Sequence, residues 1–204
     1  MLSRIIALLH STVLLITLTA CATTQLSGGW QDESLSGKKL QNVLIIGAAK
    51  QPDIRKLFED EFVRQLKAQN VKAVASYTII KADQMLERDT VVAEITKLGV
   101  DGVIVTRLTG LNRKREIDAG SSRRVPFAQF NQMNEFFQRG FEPGESSPLT
   151  AYRAISLETN IYYAETENLV WFVESDVQMQ DSIRNLTNEF ITRVVNRMLS
   201  DKVI

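Results

Sequence analysis

The spacing of hydrophobic residues along positions 41–109 alternates between two periods, which predicts alternating strands and helices. A β-branched apolar run over 42–47 ends at Gly47, as a buried strand does. After Pro52, large apolar residues recur every three or four positions, which predicts an amphipathic helix packed on a sheet. These residues are Ile54, Leu57, Phe58, Phe62 and Leu66. The pattern then predicts a strand over 71–77, helices over 81–86 and 89–98, and a strand over 101–109.

In the second half of the chain, two alternating runs follow one another. They cover 153–163 and 169–178, and the short polar stretch 165–168 between them predicts a hairpin turn and hence antiparallel strands. A last amphipathic helix begins near Asp181. Together the elements predict an α/β (α+β) fold, in which a mixed sheet of about five strands packs with three to four helices.

The amino-terminal residues carry the pattern of a cleaved signal that ends at a cysteine. Arg4 precedes an apolar stretch over 5–18 that is too short for a stable membrane span, and Leu18-Thr19-Ala20 stands directly before Cys21. This pattern resembles the lipobox of bacterial lipoproteins. The resemblance implies that residues 1–20 are a signal peptide and that Cys21 carries a diacylglycerol and an N-acyl chain such as palmitate. The alternative is an ordinary secretory signal with a chance cysteine.

Residues 21–40 are predicted to be a flexible tether, because they are rich in Thr, Ser, Gly, Gln and Lys. Trp30, within this stretch, is expected to dock on the domain rather than at the membrane. Residues 41–204 would then form a single α/β domain. Ala22 stands where an aspartate tends to retain Gram-negative lipoproteins in the inner membrane, so the resemblance favours the outer membrane, with the domain facing the periplasm.

Composition excludes several kinds of chemistry. The chain has one histidine, His10, and one cysteine, Cys21; the first lies in the predicted signal peptide and the second is the predicted acylation site. Nucleophilic triads need an imidazole base, and most catalytic zinc sites need imidazole or thiolate ligands, so we expect no enzyme of these classes, no metal and no cofactor. The formal net charge is zero, which gives no indication of a nucleic-acid partner.

Residues 110–150 have an unusual composition for a connection. Three of the four prolines interrupt the stretch, and a connection of this length is usually functional or disordered. It holds five of the nine phenylalanines, namely Phe127, Phe130, Phe136, Phe137 and Phe141. These rings are candidates for binding a partner protein, since aromatic anchors supply much of the free energy of binding. The alternatives are a lid on the domain's own core and a membrane contact.

Cations accumulate beside this stretch and within its first half. They are Arg107, Arg113, Lys114, Arg115, Arg123 and Arg124. A basic patch of this kind attracts anionic lipid headgroups or an acidic partner. The alternative is a solvated hairpin tip.

The acidic residues give weaker indications. The run Glu59-Asp60-Glu61 is predicted to be a solvated helix face, and Glu158, Glu165 and Glu167 are expected to be exposed on a strand and its turn. An exposed carboxylate has nothing to raise its pKa for acid catalysis. The stretch 47–50 after the first predicted strand lacks the glycine spacing and the Lys-Ser/Thr pair of a phosphate loop.

Several of these stretches together resemble a known group of proteins. The strand that ends at Gly47, the helix over 58–66, and the stretches 98–104 and 164–171 look like those of bacterial envelope lipoproteins of unknown function. Their domain is similar to the curli-secretion lipoprotein CsgG, the penicillin-binding-protein activator LpoB and the amino-terminal domain of TolB. The resemblance implies a binding or assembly module without catalytic residues.

The sequence therefore predicts a non-enzymatic lipoprotein of the cell envelope, anchored through Cys21, that binds an envelope protein through its aromatic segment. One alternative is a regulator of a peptidoglycan synthase, which the resemblance suggests. A second alternative is a hydrolase that uses two carboxylates, which requires a deep polar pocket.

Overall fold

A computed structural model describes residues 23–35, 37–49, 51–81, 88–113, 132–133, 149 and 152–204, with the side chains of 112 and 113 left out. Within these ranges the chain forms six strands and three α-helices. The strands are β1 (Thr24–Gln31), β2 (Asn42–Ala48), β3 (Lys72–Ala75), β4 (Gly102–Arg113), β5 (Tyr152–Tyr163) and β6 (Leu169–Gln178). The helices are α1 (Pro52–Ala68), α2 (Arg88–Leu98) and α3 (Ile183–Ser200).

All six strands belong to one mixed sheet with the order β1-β6-β5-β4-β2-β3. β2 pairs in parallel with both β3 and β4, as β-α-β connections require, whereas β4, β5, β6 and β1 pair antiparallel in succession. β4 therefore joins a parallel half to an antiparallel half. The predicted fold class is confirmed, and the sheet has six strands where the sequence predicted about five.

Helices cover the sheet on both faces. Phe62 and Leu66 of α1 and Phe190 of α3 belong to the apolar cluster on one face, and the rings of Phe58 and Phe190 lie 5.9 Å apart between the two helices. Val91 and Ile95 of α2 belong to the cluster on the opposite face. Because both faces are covered, β2 is apolar at every position from Val43 to Ile46. Within the described ranges, no helix is both long and apolar enough to cross a bilayer.

The predicted tether over 21–40 is wrong for most of its length. Thr24–Gln31 is the edge strand β1, paired with β6, and Glu33–Leu35 forms a 3-10 turn whose Leu35 is 1% exposed. An edge strand is held by backbone hydrogen bonds, so it needs no alternating apolar pattern, and its Thr, Ser and Gly residues are also typical of a linker. Trp30 lies within β1 opposite Phe172.

A bulge interrupts β1 at Gly28 and Gly29. The register with β6 shifts between Ser27 and Trp30, and Gly28 has a φ of 62°, which favours glycine. A Cβ at Gly28 would also stand 3.1 Å from the carboxylate of Glu174. The bulge therefore depends on glycine.

The other predicted elements lie close to their observed positions. α1, α2 and α3 are confirmed, and so is the hairpin of β5 and β6. The predicted strand over 71–77 is shorter, because β3 ends at Ala75 and Ser76–Thr78 forms a 3-10 turn. The predicted helix over 81–86 lies outside the described residues, apart from Lys81.

The 3-10 turn Glu33–Leu35, which the sequence predicts as part of a tether, packs on the core through Leu35. Leu35→Ala should therefore destabilise the domain by about 2–5 kcal/mol, the usual cost of a cavity in place of a buried leucine. Leu199→Ala is the matched control, because Leu199 is exposed and its loss should cost less than ~0.5 kcal/mol. Urea unfolding of both variants measures the difference. Equal stabilities would show that residues 33–35 are not packed on the domain.

Candidate functional site

Most residues that the sequence predicted for a site lie outside the described ranges. This applies to Cys21, to the five phenylalanines Phe127, Phe130, Phe136, Phe137 and Phe141, and to Lys114, Arg115, Arg123 and Arg124. The backbone of Arg113 is described, at the end of β4 opposite Tyr152. These predictions therefore stay predictions. The structure shows the strand ends to which the stretches that contain these residues are attached.

The stretch that contains Cys21 and the aromatic stretch after Arg113 both join the domain at the same end of the sheet. The register aligns the start of β1 at Thr24, the end of β6 at Gln178, the start of β5 at Tyr152 and the end of β4 at Arg113. We call this the Thr24 end of the sheet. The residues after Arg113 and those before Thr23 both join the described domain here, so the predicted acylation site and the aromatic stretch are attached to the same end.

A row of polar residues crosses four strands near the middle of the sheet. The register places Arg107 of β4, Glu158 of β5, Glu174 of β6 and Ser27 of β1 side by side. Arg107 Nε and Nη2 each lie 3.3 Å from a carboxylate oxygen of Glu158, and the two side chains are 5% and 1% exposed. We call these four residues the polar row.

The polar row corrects two predictions. Arg107 does not belong to a solvated basic patch, because it forms a buried ion pair. Glu158 is not exposed either, because its side chain is 1% exposed and paired with Arg107. Of the other two glutamates, Glu165 is exposed in the hairpin turn, and Glu167 is partly exposed and bonded to the guanidinium of Arg88. The pairing of Arg107 with Glu158 joins distant parts of the chain, so no local spacing signals it.

Asn160 extends the polar row toward the apolar cluster that α2 covers. Its amide nitrogen donates to Glu158 at 2.7 Å and to the Tyr162 hydroxyl at 3.3 Å. Its amide oxygen is buried and has no hydrogen-bond partner in the part of the chain that the structure describes. Arg107 and Asn160 thus both donate to the Glu158 carboxylate and hold it in one orientation.

A small cleft lies beside the row, toward the Thr24 end. Ser27, Thr109, Ser156 and Asp176 line it together with Glu158 and Glu174, and the Ser156 hydroxyl donates to Asp176 at 2.6 Å. Its volume is about 10 Å³, room for about one water. A pocket for a small molecule needs about 300 Å³ or more. The described residues also contain no group of three or more His, Cys, Asp or Glu side chains arranged to hold a metal ion.

A second buried cluster forms where β2 and β3 end. Glu59 is fully buried and accepts from Arg55 Nε at 2.9 Å, from Ser76 Oγ at 2.8 Å and from Gly47 N at 3.0 Å. Its second oxygen accepts from Tyr77 N at 2.8 Å. The prediction that Glu59 belongs to a solvated acidic face is therefore wrong.

The Glu59 cluster also bears on the stretch 47–50 at the end of β2. The amide of Gly47 already donates to a carboxylate, so this stretch does not offer that donor to a phosphate. The signal that sequence reasoning missed is the spacing of Arg55 and Glu59, one helical turn apart, which is typical of a helix ion pair. Asp60 remains exposed and bonds Lys56 and Tyr77.

One carboxylate fixes the start of the described chain to α3. Glu189 Oε1 accepts from the backbone amides of Thr23 and Thr24, each at 3.1 Å, and Oε2 accepts from the Thr23 hydroxyl. Arg193, one turn further along α3, also donates to Oε1 at 3.1 Å. We call these contacts the Glu189 clamp. Partial burial raises the pKa of Glu189, but the hydrogen bonds from Thr23, Thr24 and Arg193 outweigh it, so the pKa is lowered overall.

The described elements define a mixed α/β domain with helices on both faces and a buried ion pair near the middle of its sheet. No family model and no curated protein matches the sequence.

The domain is similar in fold to several solved structures. One is the PelC dodecamer from Paraburkholderia phytofirmans, with 8% identity, a TM-score of 0.45, and coverage of 85% of this chain and 94% of that chain. Another is the lipoprotein GNA1162 from Neisseria meningitidis, with 10% identity, a TM-score of 0.40, and coverage of 78% and 96%.

Removing the buried carboxylate should destabilise the domain far more than removing its exposed neighbour. We expect Glu59→Ala to cost about 3–5 kcal/mol, because Arg55 would keep a buried charge without its partner. Asp60→Ala, on the same helix, should cost less than ~1 kcal/mol, as exposed ion pairs contribute little. Thermal and urea unfolding measure both. Similar losses in the two variants would contradict the burial of Glu59.

The Glu189 clamp should contribute stability that depends on pH. Because the folded state lowers the pKa of Glu189, its contribution is present at neutral pH and is lost as the pH falls through that lowered pKa. We expect Glu189→Gln to cost about 1 kcal/mol at pH 7 and the difference from the wild type to shrink toward pH 3. Urea unfolding at several pH values measures it, with Glu165→Gln in the exposed turn as the control. A difference that stays constant with pH would contradict the clamp.

Proposed function

We propose that this chain is a non-catalytic, lipid-anchored protein of the bacterial envelope whose domain binds or assembles with an envelope protein. In this proposal Cys21 is acylated, the membrane is the outer membrane and the domain faces the periplasm. The observation that supports it most is the Thr24 end of the sheet, where the stretch after Cys21 and the stretch with the five phenylalanines both join the domain.

The way in which β4 and β5 are paired supports a binding role for the connection between them. Their pairing continues from Gly102 and Tyr163 to Arg113 and Tyr152, so the connection starts and ends on a rigid pair of strands. Connections held by a rigid scaffold carry binding functions more often than other segments do. Aromatic residues such as Phe136 and Phe137 are the side chains that most often anchor protein interfaces.

A more specific form of the proposal is a regulator of a peptidoglycan synthase. Its support is the resemblance to the domain of the penicillin-binding-protein activator LpoB. It requires that the partner be a synthase with a domain on the same side of the membrane.

Capture of the acylated protein from envelope membranes tests the binding role. The wild type and Phe136→Ser/Phe137→Ser are solubilised in mild detergent and captured with an antibody against the domain, and the retained proteins are identified by mass spectrometry. We expect at least one protein to be retained by the wild type and lost from the double variant, because two aromatic anchors are removed. Leu199→Ser, an exposed leucine on α3, is the matched control and should retain the same protein.

The outcomes separate the parts of the proposal. A retained synthase would support the more specific form. Retention that is unchanged in the double variant would show that these two phenylalanines do not bind the partner. Failure of the wild type to retain any protein beyond the background of an unrelated lipoprotein would contradict the binding role.

A further inference from the structure

The distance between the predicted acylation site and the folded domain is short. Thr23 is fixed by the Glu189 clamp, and its carbonyl oxygen also accepts from Gln178 N at 2.8 Å. Cys21 stands two residues before Thr23. Two residues of fully extended chain span at most ~7 Å, so the acylated cysteine cannot lie farther than this from the domain surface.

The length of chain between Cys21 and Thr23 is close to the thickness of the headgroup layer on one side of a bilayer. The inference rests on the proposed acylation of Cys21, whose acyl chains would occupy the hydrocarbon core. The headgroup layer on one side of that core is roughly 5–8 Å thick. The chain between Cys21 and Thr23 is therefore long enough to cross the headgroups and too short to lift the domain away from them.

The surface around Thr23 suits a polar headgroup layer. The connection from β6 to α3 carries the exposed residues Gln180 and Asp181, and Arg184 is exposed in the first turn of α3. Arg153 at the start of β5 is also exposed, and its carbonyl oxygen accepts from Met179 N at 2.8 Å. We call Arg153, Gln180, Asp181 and Arg184 the rim. These side chains are charged or polar, so they can bond to headgroup phosphates and amines without entering the hydrocarbon.

We propose that the rim lies against the phospholipid headgroups and that the strands stand on the bilayer with their other ends directed away from it. The Glu189 clamp sets this orientation, because it makes the start of β1 part of the rigid domain. β4 has twelve residues, so the far end of the sheet would lie roughly 30–40 Å from the headgroups. Lys97 is exposed near that far end, where the backbone oxygens of Leu98 and Gly99 accept from Asn42.

Fluorescence quenching tests the orientation directly. Cys21 is the only cysteine and acylation consumes its thiol, so one introduced cysteine can be labelled selectively. Acylated Arg184→Cys and Lys97→Cys carry the same fluorophore in vesicles of phosphatidylethanolamine and phosphatidylglycerol with a fraction of headgroup-nitroxide lipid. We expect quenching about threefold or more stronger at position 184 than at position 97, given their separation along the sheet. Gln180→Cys is a second rim position and should behave like Arg184→Cys.

A spacer variant separates orientation from mere attachment. About ten Gly and Ser residues inserted between Ala22 and Thr23 add roughly 15–20 Å of flexible chain. We expect this variant to stay bound to vesicles while the quenching ratio of the two positions falls toward one.

Each outcome decides a different point. If the wild type fails to float with vesicles, acylation of Cys21 is wrong and the orientation fails with it. If it floats but the two positions are quenched equally, or position 97 more strongly, the orientation is wrong while the lipid anchor stands. A label at position 184 that is shielded in native membranes but not quenched by lipid would indicate a protein neighbour at the rim and would also overturn the orientation.

Discussion

The buried ion pair between Arg107 and Glu158 constrains how the two halves of the sheet are joined. A slip of one residue between β4 and β5 would turn every side chain of one strand to the opposite face. One of the two charges would then enter the apolar cluster beneath α1 and α3, and the other would lose its counter-charge, which costs several kcal/mol. The pair therefore favours a single register. That register is also what brings the ends of β1, β4, β5 and β6 together at the Thr24 end.

The elements that the sequence predicts well are those whose apolar residues are spaced by burial against a neighbouring layer of the fold. α1 and α3 each bury a stripe against the sheet, so residues such as Phe62 and Phe190 recur at helical spacing. β2 is covered on both faces and reads as an unbroken apolar run. The β5–β6 hairpin was recognisable because a short polar turn separates two alternating runs. In each case local sequence and packing agree.

The features that were missed depend on contacts between distant residues. The sequence predicts a solvated helix face for Glu59 and an exposed strand for Glu158. In the structure each is surrounded by donors from other elements, such as Ser76 for Glu59 and Arg107 for Glu158. The composition of residues 24–31 predicts a linker, and an edge strand held by backbone pairing with β6 needs no apolar pattern that would indicate otherwise. The Glu189 clamp joins residues more than one hundred and sixty positions apart, so no spacing rule could have found it.

The double glycine in β1 also bears on how copies of the domain meet one another. A straight edge strand is a template on which a strand of another molecule can add, and this addition begins many forms of aggregation. In β1 the regular pairing runs over only four residues, Thr24 to Ser27, before Gly28 and Gly29 break it. An incoming strand would have to bend at the same place to continue. If the proposed anchor concentrates copies of the domain on a membrane, this irregular edge would disfavour the addition of one copy's edge strand to another's.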